Sequence, residues 1–411
     1  MYSIVCHRCQ RKIDEASYQP ACLNCGGPLH FEYPGYLSPK ERTGKSMWIY
    51  RDLLPVRSAT RIISLDEGGT PLLKARFSEQ ADVYIKNETL NPTGSHKDRA
   101  LSIGMTKAVE FGRDAVMLYS DGSTALSSAA YAARAGLKSI TVIGRGTPEY
   151  SLLPLMVYNS HLLEYQGTAA EALNWVHKAC QTLGIYETST YRLANPYQAE
   201  GAKTIGLEIF EQLGRPPEWV VVPVGGGGTL AGIWQAFVEL QTRGLISRKP
   251  RMAGVLPEGF TMLEMALARG LQSDRELRGL APLEAPPTRQ VKIAMTYSPD
   301  GLEAIAAVRD SDGLFLYASD HEALAAQKKL GARDGIYAEL SAAVAVVGAE
   351  KLLSAHQVHQ RETVVVVVTG FGFREKGALS DQLTLTKTPV DASSGIAVLK
   401  EILRNKRVRW T

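Results

Sequence analysis

From Val83 onward the sequence alternates short apolar runs with helical runs, and this alternation constrains the fold more than any other feature. The runs typical of buried strands are Ala115–Tyr119, Ile140–Ile143, His161–Tyr165, Trp219–Val224, Ala253–Leu256 and Thr363–Val368. Strands that alternate with helices are typical of open parallel sheets covered on both faces. The sequence therefore predicts a doubly wound α/β fold. At 411 residues the chain exceeds one ordinary core, so we expect two or three domains.

We expect five segments along the chain. They are a metal ribbon over residues 1–35, a lead-in with the first part of the large domain over 36–90, a small mobile α/β domain over 91–196, a large α/β domain over 197–385, and a tail helix over 386–411. Each α/β domain would carry one doubly wound open sheet, with ligands at the carboxyl ends of its strands.

Composition and charge limit the partners of the protein. The net charge of +4 is small for this length and gives no reason to expect a nucleic-acid partner. No apolar run reaches the length of a membrane span, so no membrane partner is expected. The first residues lack the basic and apolar regions of a secretory signal, so we expect a cytoplasmic protein.

Four of the five cysteines lie in the first 25 residues. They form two Cys-x2-Cys pairs, Cys6 with Cys9 and Cys22 with Cys25. Two such pairs can place four thiolates around one zinc ion, which supplies folding energy that a short segment lacks. Four reduced thiols without metal are the alternative. The segment has no basic or aromatic stripe, so we predict a structural zinc ribbon.

A turn with Pro92 and Gly94 precedes a helical run that begins at Lys97. The positive end of the helix dipole disfavours a further positive charge, so Lys97 is a candidate for a lowered pKa. Nucleophilic Schiff-base chemistry requires a lysine of this kind. A solvated surface lysine is the ordinary alternative.

The run Asn-Pro-Thr-Gly-Ser-His-Lys-Asp-Arg around Lys97 resembles the cofactor-lysine motif of threonine synthases and their fold-type-II relatives. These enzymes carry pyridoxal phosphate on that lysine, and they usually have Phe where this chain has His96. The resemblance extends over nearly the whole chain in matching order, including the cysteine ribbon of many archaeal and bacterial threonine synthases. It implies a fold-type-II enzyme in which Lys97 is catalytic and binds the cofactor.

Four glycines and a threonine follow a strand-like run and open a helix, as Gly225, Gly226, Gly227, Gly228 and Thr229. Such a loop leaves backbone amides free to wrap a phosphate, assisted by the helix dipole and the threonine hydroxyl. It lacks the Gly-Lys-Ser/Thr ending of a nucleotide P-loop. The loop is similar to the phosphate loop of fold-type-II enzymes, which implies that these five residues bind the cofactor.

A second loop, Ser120-Asp121-Gly122-Ser123-Thr124, stands where the family usually has Ser-Ser/Thr-Gly-Asn-Thr. In the family the Asn bonds the ring hydroxyl of the cofactor, and the flanking groups hold the substrate carboxylate. The resemblance implies that Ser123 contacts the cofactor, and that Ser120, Asp121 and Thr124 contact the substrate. A carboxylate at Asp121 repels the substrate carboxylate unless a cation intervenes or the side chain points away. A helix cap facing solvent is the alternative for Asp121.

Three further positions match the family. Thr369 begins Thr-Gly-Phe-Gly, similar to Thr-Gly-His-Gly of threonine synthases, whose threonine hydroxyl meets the pyridine nitrogen. Lys86 and Asn195 match residues that hold the phosphate of O-phospho-L-homoserine. In another phosphate segment the expected Asn and Arg are Thr168 and Asn174 in this chain. Losing a guanidinium from a phosphate site is not a conservative change.

The resemblance implies pyridoxal-phosphate-dependent elimination or replacement at the β or γ carbon of an amino acid carrying a leaving group, with a divergent substrate. Threonine synthase proper, a serine or threonine dehydratase, and a cysteine synthase-like β-replacement enzyme are the enzymatic alternatives. A non-catalytic binding paralogue is the alternative outside enzymes, and the retention of Lys97, the glycine loop and Thr369 argues against it. We expect an amino-acid substrate and a homodimer.

Overall fold

The structure is a computed structural model that describes residues 2–6, 8–15, 18–34, 44–78, 81–282, 284–359, 361–375 and 399–400. Residues 1–375 form one compact unit, and residues 376–411 form a second. The tail helix that we predict over 386–411 lies outside the described residues, except for Leu399 and Lys400, which are helical.

The strands are β1 (Ser3–Cys6), β2 (Lys12–Ile13), β3 (Leu29–Glu32), β4 (Leu72–Lys74), β5 (Asp82–Asn87), β6 (Ala115–Tyr119), β7 (Lys138–Gly144), β8 (His161–Tyr165), β9 (Tyr186–Glu187), β10 (Trp219–Pro223), β11 (Arg251–Pro257), β12 (Leu314–Ala318) and β13 (Thr363–Val368). The helices are α1 (Lys97–Glu110), α2 (Ser123–Ala135), α3 (Glu149–Val157), α4 (Ala169–Leu183), α5 (Pro196–Ala199), α6 (Lys203–Leu213), α7 (Gly228–Thr242), α8 (Met262–Ala268), α9 (Asp274–Gly279), α10 (Gly301–Arg309), α11 (Asp320–Lys329) and α12 (Leu340–Ser354).

The larger sheet has the strand order β12-β11-β10-β13-β5-β4, and its pairs are parallel except for the antiparallel β4. Strands β10 and β13 are buried along their whole length, which explains their unbroken apolar runs, because a central parallel strand is covered on both faces. Helix α12 packs on one face, where Gly348 lies against Val221 and Val255. Helices α7 and α10 pack against each other and against β11.

A second parallel sheet has the order β8-β7-β6-β9 and lies between residues 115 and 187. Helix α2 packs against β7, and α4 packs against β6 and β7. The two open α/β sheets confirm the predicted fold class. The boundaries of the five predicted segments stay predictions, since both sheets belong to the same compact unit.

The N-terminal segment forms an antiparallel three-stranded sheet of order β2-β1-β3. Ile4, Leu29 and Phe31 are buried in a core that this sheet shares with the larger one. The hydroxyl of Tyr33 donates to Glu200 at 3.0 Å, which adds a buried polar contact. Within the described part of the chain, every helix is too short or too polar to cross a bilayer.

The loops that carry the predicted chemistry follow the carboxyl ends of strands. Ser120 follows β6, Gly225 follows β10, and Thr369 follows β13. Because β10 and β13 are parallel neighbours in the larger sheet, Gly225 and Thr369 lie at the same edge of it, and Gly370 pairs with Ser95 just before α1.

Candidate active site

The turn before Lys97 is fastened to the end of β13. Ser95 forms an isolated antiparallel bridge with Gly370, and the backbone N–H of His96 donates to the carbonyl oxygen of Thr369 at 3.0 Å. Ser95 is fully buried, and α1 begins at Lys97 as predicted. The position of Lys97 is therefore fixed by the larger sheet as well as by its own helix.

The ring of His96 connects the glycine loop to the same strand end. Its Nδ1 lies 3.1 Å from the carbonyl oxygen of Thr369, and its Nε2 lies 3.1 Å from Oγ1 of Thr229. A carbonyl oxygen only accepts, so Nδ1 carries the hydrogen, and in the neutral ring Nε2 accepts from the Thr229 hydroxyl. That hydroxyl hydrogen is then committed to His96. The contact of the Thr229 hydroxyl with a phosphate stays a prediction, and it would require this hydroxyl to turn away from His96.

The amine of Lys97 is in a site that favours its neutral form. Its Nζ lies 3.3 Å from Oγ1 of Thr190. Burial lowers the pKa of Lys97 below its ordinary value, while the negative charges of Asp300 and Glu339 oppose that shift. The direction agrees with the prediction, although burial is the leading cause and the helix dipole was the expected one. A neutral amine has the lone pair that a nucleophile requires.

The glycine loop packs closely against the segment from Ile293 to Asp300. A Cβ on Gly225 would lie 3.0 Å from Cα of Ile293, and a Cβ on Gly227 would lie 2.6 Å from the carbonyl oxygen of Asp300. Gly227 also has a φ of +95°, which favours glycine. Helix α7 begins at Gly228, so its first N–H groups lack intrahelical partners. A loop without side chains that ends in free amides has donors suited to the phosphate of pyridoxal phosphate.

Asp300 is a buried acid beside this loop. Its backbone N–H donates to the carbonyl oxygen of Gly226 at 2.8 Å, and its Oδ1 accepts from the backbone N–H of Arg192 at 2.8 Å. Burial, together with the charge of Glu303, raises the pKa of Asp300 to about 7. The site therefore contains a carboxyl group that titrates near neutral pH.

The loop from Ser120 to Thr124 lies at the start of α2. The N-cap of this helix is Gly122, with no side-chain capping bond, so the alternative that Asp121 caps the helix is not supported. The side chain of Asp121 is exposed. The Ser120 hydroxyl accepts from the N–H of Gly122 at 3.2 Å. Among the described residues, the hydroxyl groups of Ser123, Thr124 and Thr369 have no hydrogen-bond partner. The Thr369 hydroxyl is therefore available for the contact with a ring nitrogen that the resemblance implies.

The ammonium of Lys86 has only protein partners in the structure. Its ammonium is fully buried and donates to the carbonyl oxygen of Thr70 at 2.7 Å, to Glu208 at 2.6 Å and to Gln212 at 3.0 Å. These three acceptors use all three hydrogens of the ammonium group. Glu208 also accepts from the buried guanidinium of Arg99 at 2.6 Å. Lys86 therefore belongs to an internal ion network in this structure, and its predicted contact with substrate stays a prediction.

Asn195 also has a structural role, and its predicted contact with substrate stays a prediction. It is fully buried, donates to the carbonyl oxygen of Glu187 at 2.8 Å, and caps α5 by accepting from the N–H of Gln198 at 3.2 Å. Thr168 is the N-cap of α4, and Asn174 is exposed on that helix. Among the described residues, no hydrogen bond or ion pair links Thr168 or Asn174 to Lys97.

Sequence reasoning missed Thr190, Asp300 and Lys292. Thr190 lies three residues beyond the end of β9, so the rule that ligands bind at strand ends was a signal that could have identified it. Asp300 precedes α10 and Lys292 lies in an irregular stretch, and neither carries a motif in the sequence.

The four predicted zinc ligands lie together in the ribbon. The Sγ atoms of Cys6 and Cys25 are 3.5 Å apart, those of Cys9 and Cys22 are 3.7 Å apart, and all four lie within 4.8 Å of one another. Tetrahedral Zn–S bonds of about 2.3 Å put sulfur atoms roughly 3.8 Å apart, so the donor set fits a zinc ion. The fifth cysteine, Cys180, is buried on α4.

Comparison with known proteins places the chain in a family. The profile of the family "Pyridoxal-phosphate dependent enzyme" matches residues 63–370. Threonine synthase of Methanocaldococcus jannaschii is 31% identical over 97% of this chain and 98% of the relative. Threonine synthase of Mycobacterium leprae is 33% identical over 86% of this chain and 94% of the relative. Threonine deaminase isoform 2 of Solanum lycopersicum shares the fold, with a TM-score of 0.62 and 21% identity over 80% of this chain and 82% of that one.

The fold, the lysine at the start of α1 and the glycine loop thus define a fold-type-II enzyme that uses pyridoxal phosphate. The chain belongs to the pyridoxal-phosphate dependent enzyme family. Its family and its threonine synthase relatives identify the protein as a lyase-type enzyme. The reaction class is elimination or replacement at the β or γ carbon of an amino acid.

Proposed function

We propose that Lys97 carries pyridoxal phosphate and that the enzyme acts on an amino acid other than O-phospho-L-homoserine. The observation that supports this most strongly is the placement of Lys97, a half-buried lysine with a lowered pKa between the end of β13 and the glycine loop. Bound pyridoxal phosphate withdraws electrons from the substrate carbon that loses a proton. The backbone of Gly225 to Gly228 would hold its phosphate, and the hydroxyl of Thr369 would face its ring nitrogen.

The chain's own residues then have distinct tasks. Lys97 Nζ would take a proton from Cα of the substrate and return one at Cβ or Cγ. Ser123 is a shorter donor to the ring hydroxyl than the Asn of relatives. Burial lowers the pKa of Lys97 and so favours the neutral amine, which is the form that can accept a proton.

Three observations favour a divergent substrate. Asp121 adds a negative charge to the loop that relatives use for the substrate carboxylate, and no cap holds it elsewhere. Lys86 and Asn195, which match phosphate-binding positions of relatives, are fully engaged inside the protein. Asn174 offers no guanidinium for a phosphate.

Labelling with the cofactor tests the first part of this proposal. Purified protein is loaded with pyridoxal phosphate, reduced with borohydride, digested and analysed by mass spectrometry. We expect a phosphopyridoxyl label on Lys97, with Lys97→Ala unlabelled and Lys138→Met, an exposed lysine on β7, labelled like the wild type. A wild type that stays unlabelled at Lys97 would refute the proposal.

Substrate choice is tested by product release. We expect slow phosphate release from O-phospho-L-homoserine, because Asn174 stands where relatives have an Arg and offers no guanidinium for the phosphate of this substrate. The double variant Asp121→Ser with Ser123→Asn should gain activity on ordinary amino acids. Turnover of O-phospho-L-homoserine to threonine at typical enzyme rates would contradict this part and leave a plain threonine synthase.

We also propose that Cys6, Cys9, Cys22 and Cys25 bind one structural zinc ion. The mutual distances of their sulfur atoms support this, as does the burial of Cys6 and Cys22 within the core that the ribbon shares. Metal analysis of freshly purified, unchelated protein should give one zinc per chain, and a metal-free result would refute the site. The homodimer that we expect from the sequence is proposed here as well, and sedimentation measurements test it.

A further inference from the structure

Lys292 extends across the loop that contains Asp121. Its Nζ lies 3.2 Å from the position that a Cβ on Gly122 would occupy, and its Cδ and Cε lie 3.6 and 3.7 Å from the same point. Gly122 has a φ of −115°, a value that other residues adopt easily. A side chain at position 122 would therefore contact Lys292, whose side chain lies against this part of the loop.

The backbone of Lys292 is held by two parts of the site. Its N–H donates to Oγ of Ser341, at the start of α12, at 3.2 Å. The next residue, Ile293, packs its Cα against Gly225 of the glycine loop. The N-cap of α12 is Glu339, whose charge acts on Lys97. The side chain of Lys292 thus starts from the cofactor side of the site and ends over the loop that follows β6.

The ammonium group of Lys292 is a cation without a partner. Among the described residues it forms no hydrogen bond and no ion pair, and it is half-buried. Other cations of this region are already engaged: Lys86 pairs with Glu208, and Arg192 pairs with Glu200. An ammonium has three hydrogens to donate and no acceptor, so an anion is the ligand that suits it.

We propose that Lys292 binds the α-carboxylate of the amino-acid substrate and offsets the negative charge of Asp121. This rests on the proposed function, because it requires an amino acid bound at Lys97. The α-carboxylate is the anion that every amino-acid substrate carries, whereas an anionic leaving group belongs to some substrates only. Lys292 is therefore a substrate-binding residue, and it supplies the cation that the carboxylate at Asp121 makes necessary.

Equilibrium binding to the cofactor-loaded enzyme tests the proposal. Binding is followed by the change in cofactor absorbance on titration with L-serine, O-phospho-L-serine or L-serine amide. The variant Lys292→Met keeps the aliphatic stem and removes the charge. We expect it to weaken L-serine and O-phospho-L-serine by the same factor, about 10- to 100-fold. L-Serine amide, which lacks the carboxylate, should bind equally to both proteins.

Two comparisons sharpen the test. Lys138→Met removes an exposed charge at the opposite, amino-terminal end of β7, and it should change none of the three affinities. Adding Asp121→Asn should improve L-serine binding more in the Lys292→Met background than in the wild type, because only there is the carboxylate unopposed. If Lys292→Met fails to fold, Lys292→Gln carries the same comparisons.

The outcomes separate this inference from the proposed function. Loss of affinity for O-phospho-L-serine alone would overturn it in favour of a leaving-group contact, and unchanged affinities would overturn it outright. Both results presuppose that borohydride labels Lys97. An unlabelled Lys97 overturns the proposed function and this inference together.

Discussion

The buried acid Asp300 is the subject of the first prediction. The stability of Asp300→Asn relative to that of the wild type should be higher at pH 8 than at pH 5. Burial is the leading cause that raises the pKa of Asp300 from 3.8 to about 7. Between these two values the folded carboxyl keeps its proton, whereas the unfolded one has lost it. The free energy of unfolding therefore falls as pH rises through this interval.

The size of the effect follows from that interval. About 3 pH units at about 1.4 kcal/mol each give about 4 kcal/mol, of which about 3 kcal/mol appears above pH 5. A chain of this size has an unfolding entropy of about 0.9 kcal/mol/K, so 3 kcal/mol corresponds to about 3 °C in Tm. Asn can still accept from the N–H of Arg192, so the change removes the titration and retains that hydrogen bond.

The assay is thermal unfolding of wild type and Asp300→Asn at pH 5 and pH 8 in matched ionic strength. The Tm of the variant minus the Tm of the wild type is taken at each pH, and the two values are then compared. Any cost of the substitution that is the same at both pH values cancels in this comparison. Asp310→Asn, an exposed carboxyl at the end of α10, is the control and should show no pH-dependent difference. A Tm difference that is equal at both pH values, or that favours the wild type at pH 8, would refute the reasoning.

Three further predictions concern single side chains. Lys86→Met should destabilise the fold by about 3–5 kcal/mol, because it leaves Glu208 buried without a full set of partners, and calorimetry should show this with cofactor labelling intact. Thr190→Val should lower the pKa of Lys97 further by removing an acceptor for its ammonium form, seen as a shift of the pH profile of cofactor incorporation to lower pH. Cys6→Ser should lose zinc while Cys180→Ser retains it, as measured by metal analysis.

Much of the fold could be predicted because burial leaves a clear pattern. The central strand Thr363–Val368 is apolar along its length, since both of its faces are covered, and its predicted bounds match the structure. The start of α1 at Lys97 was predicted from turn residues alone. These signals are local, so a single sequence is enough to find them.

Lys86 shows why part of the site could not be predicted. Its position matches a substrate-binding lysine of the family, but its partner Glu208 lies 122 residues away in the sequence. Whether an ammonium meets a substrate or a buried carboxylate depends on which helix packs beside its strand. The resemblance fixes the position of the backbone and leaves that choice open.

The glycine loop combines a predicted function with one that only packing reveals. From the sequence we predicted that the four glycines expose backbone amides to a phosphate. The structure shows that Gly225, Gly227 and Gly228 also let the 290–300 segment approach, because a Cβ on each would come within 3.0 Å of Ile293 or Asp300. At Gly226 the nearest atom to such a Cβ is Cδ of Pro299 at 3.5 Å, an ordinary contact.

Gly226 is therefore the position at which the two functions of the loop can be separated. Gly226→Ala should leave Tm unchanged within about 1 °C, because its methyl group displaces nothing in the fold. If that methyl group enters the space of the cofactor phosphate, the Kd for pyridoxal phosphate should rise about tenfold or more. Gly227→Ala, in contrast, should lower Tm in addition to any loss of cofactor affinity, since its φ of +95° and the carbonyl oxygen of Asp300 both oppose a side chain. Equal losses of Tm in the two variants would show that the loop serves packing alone.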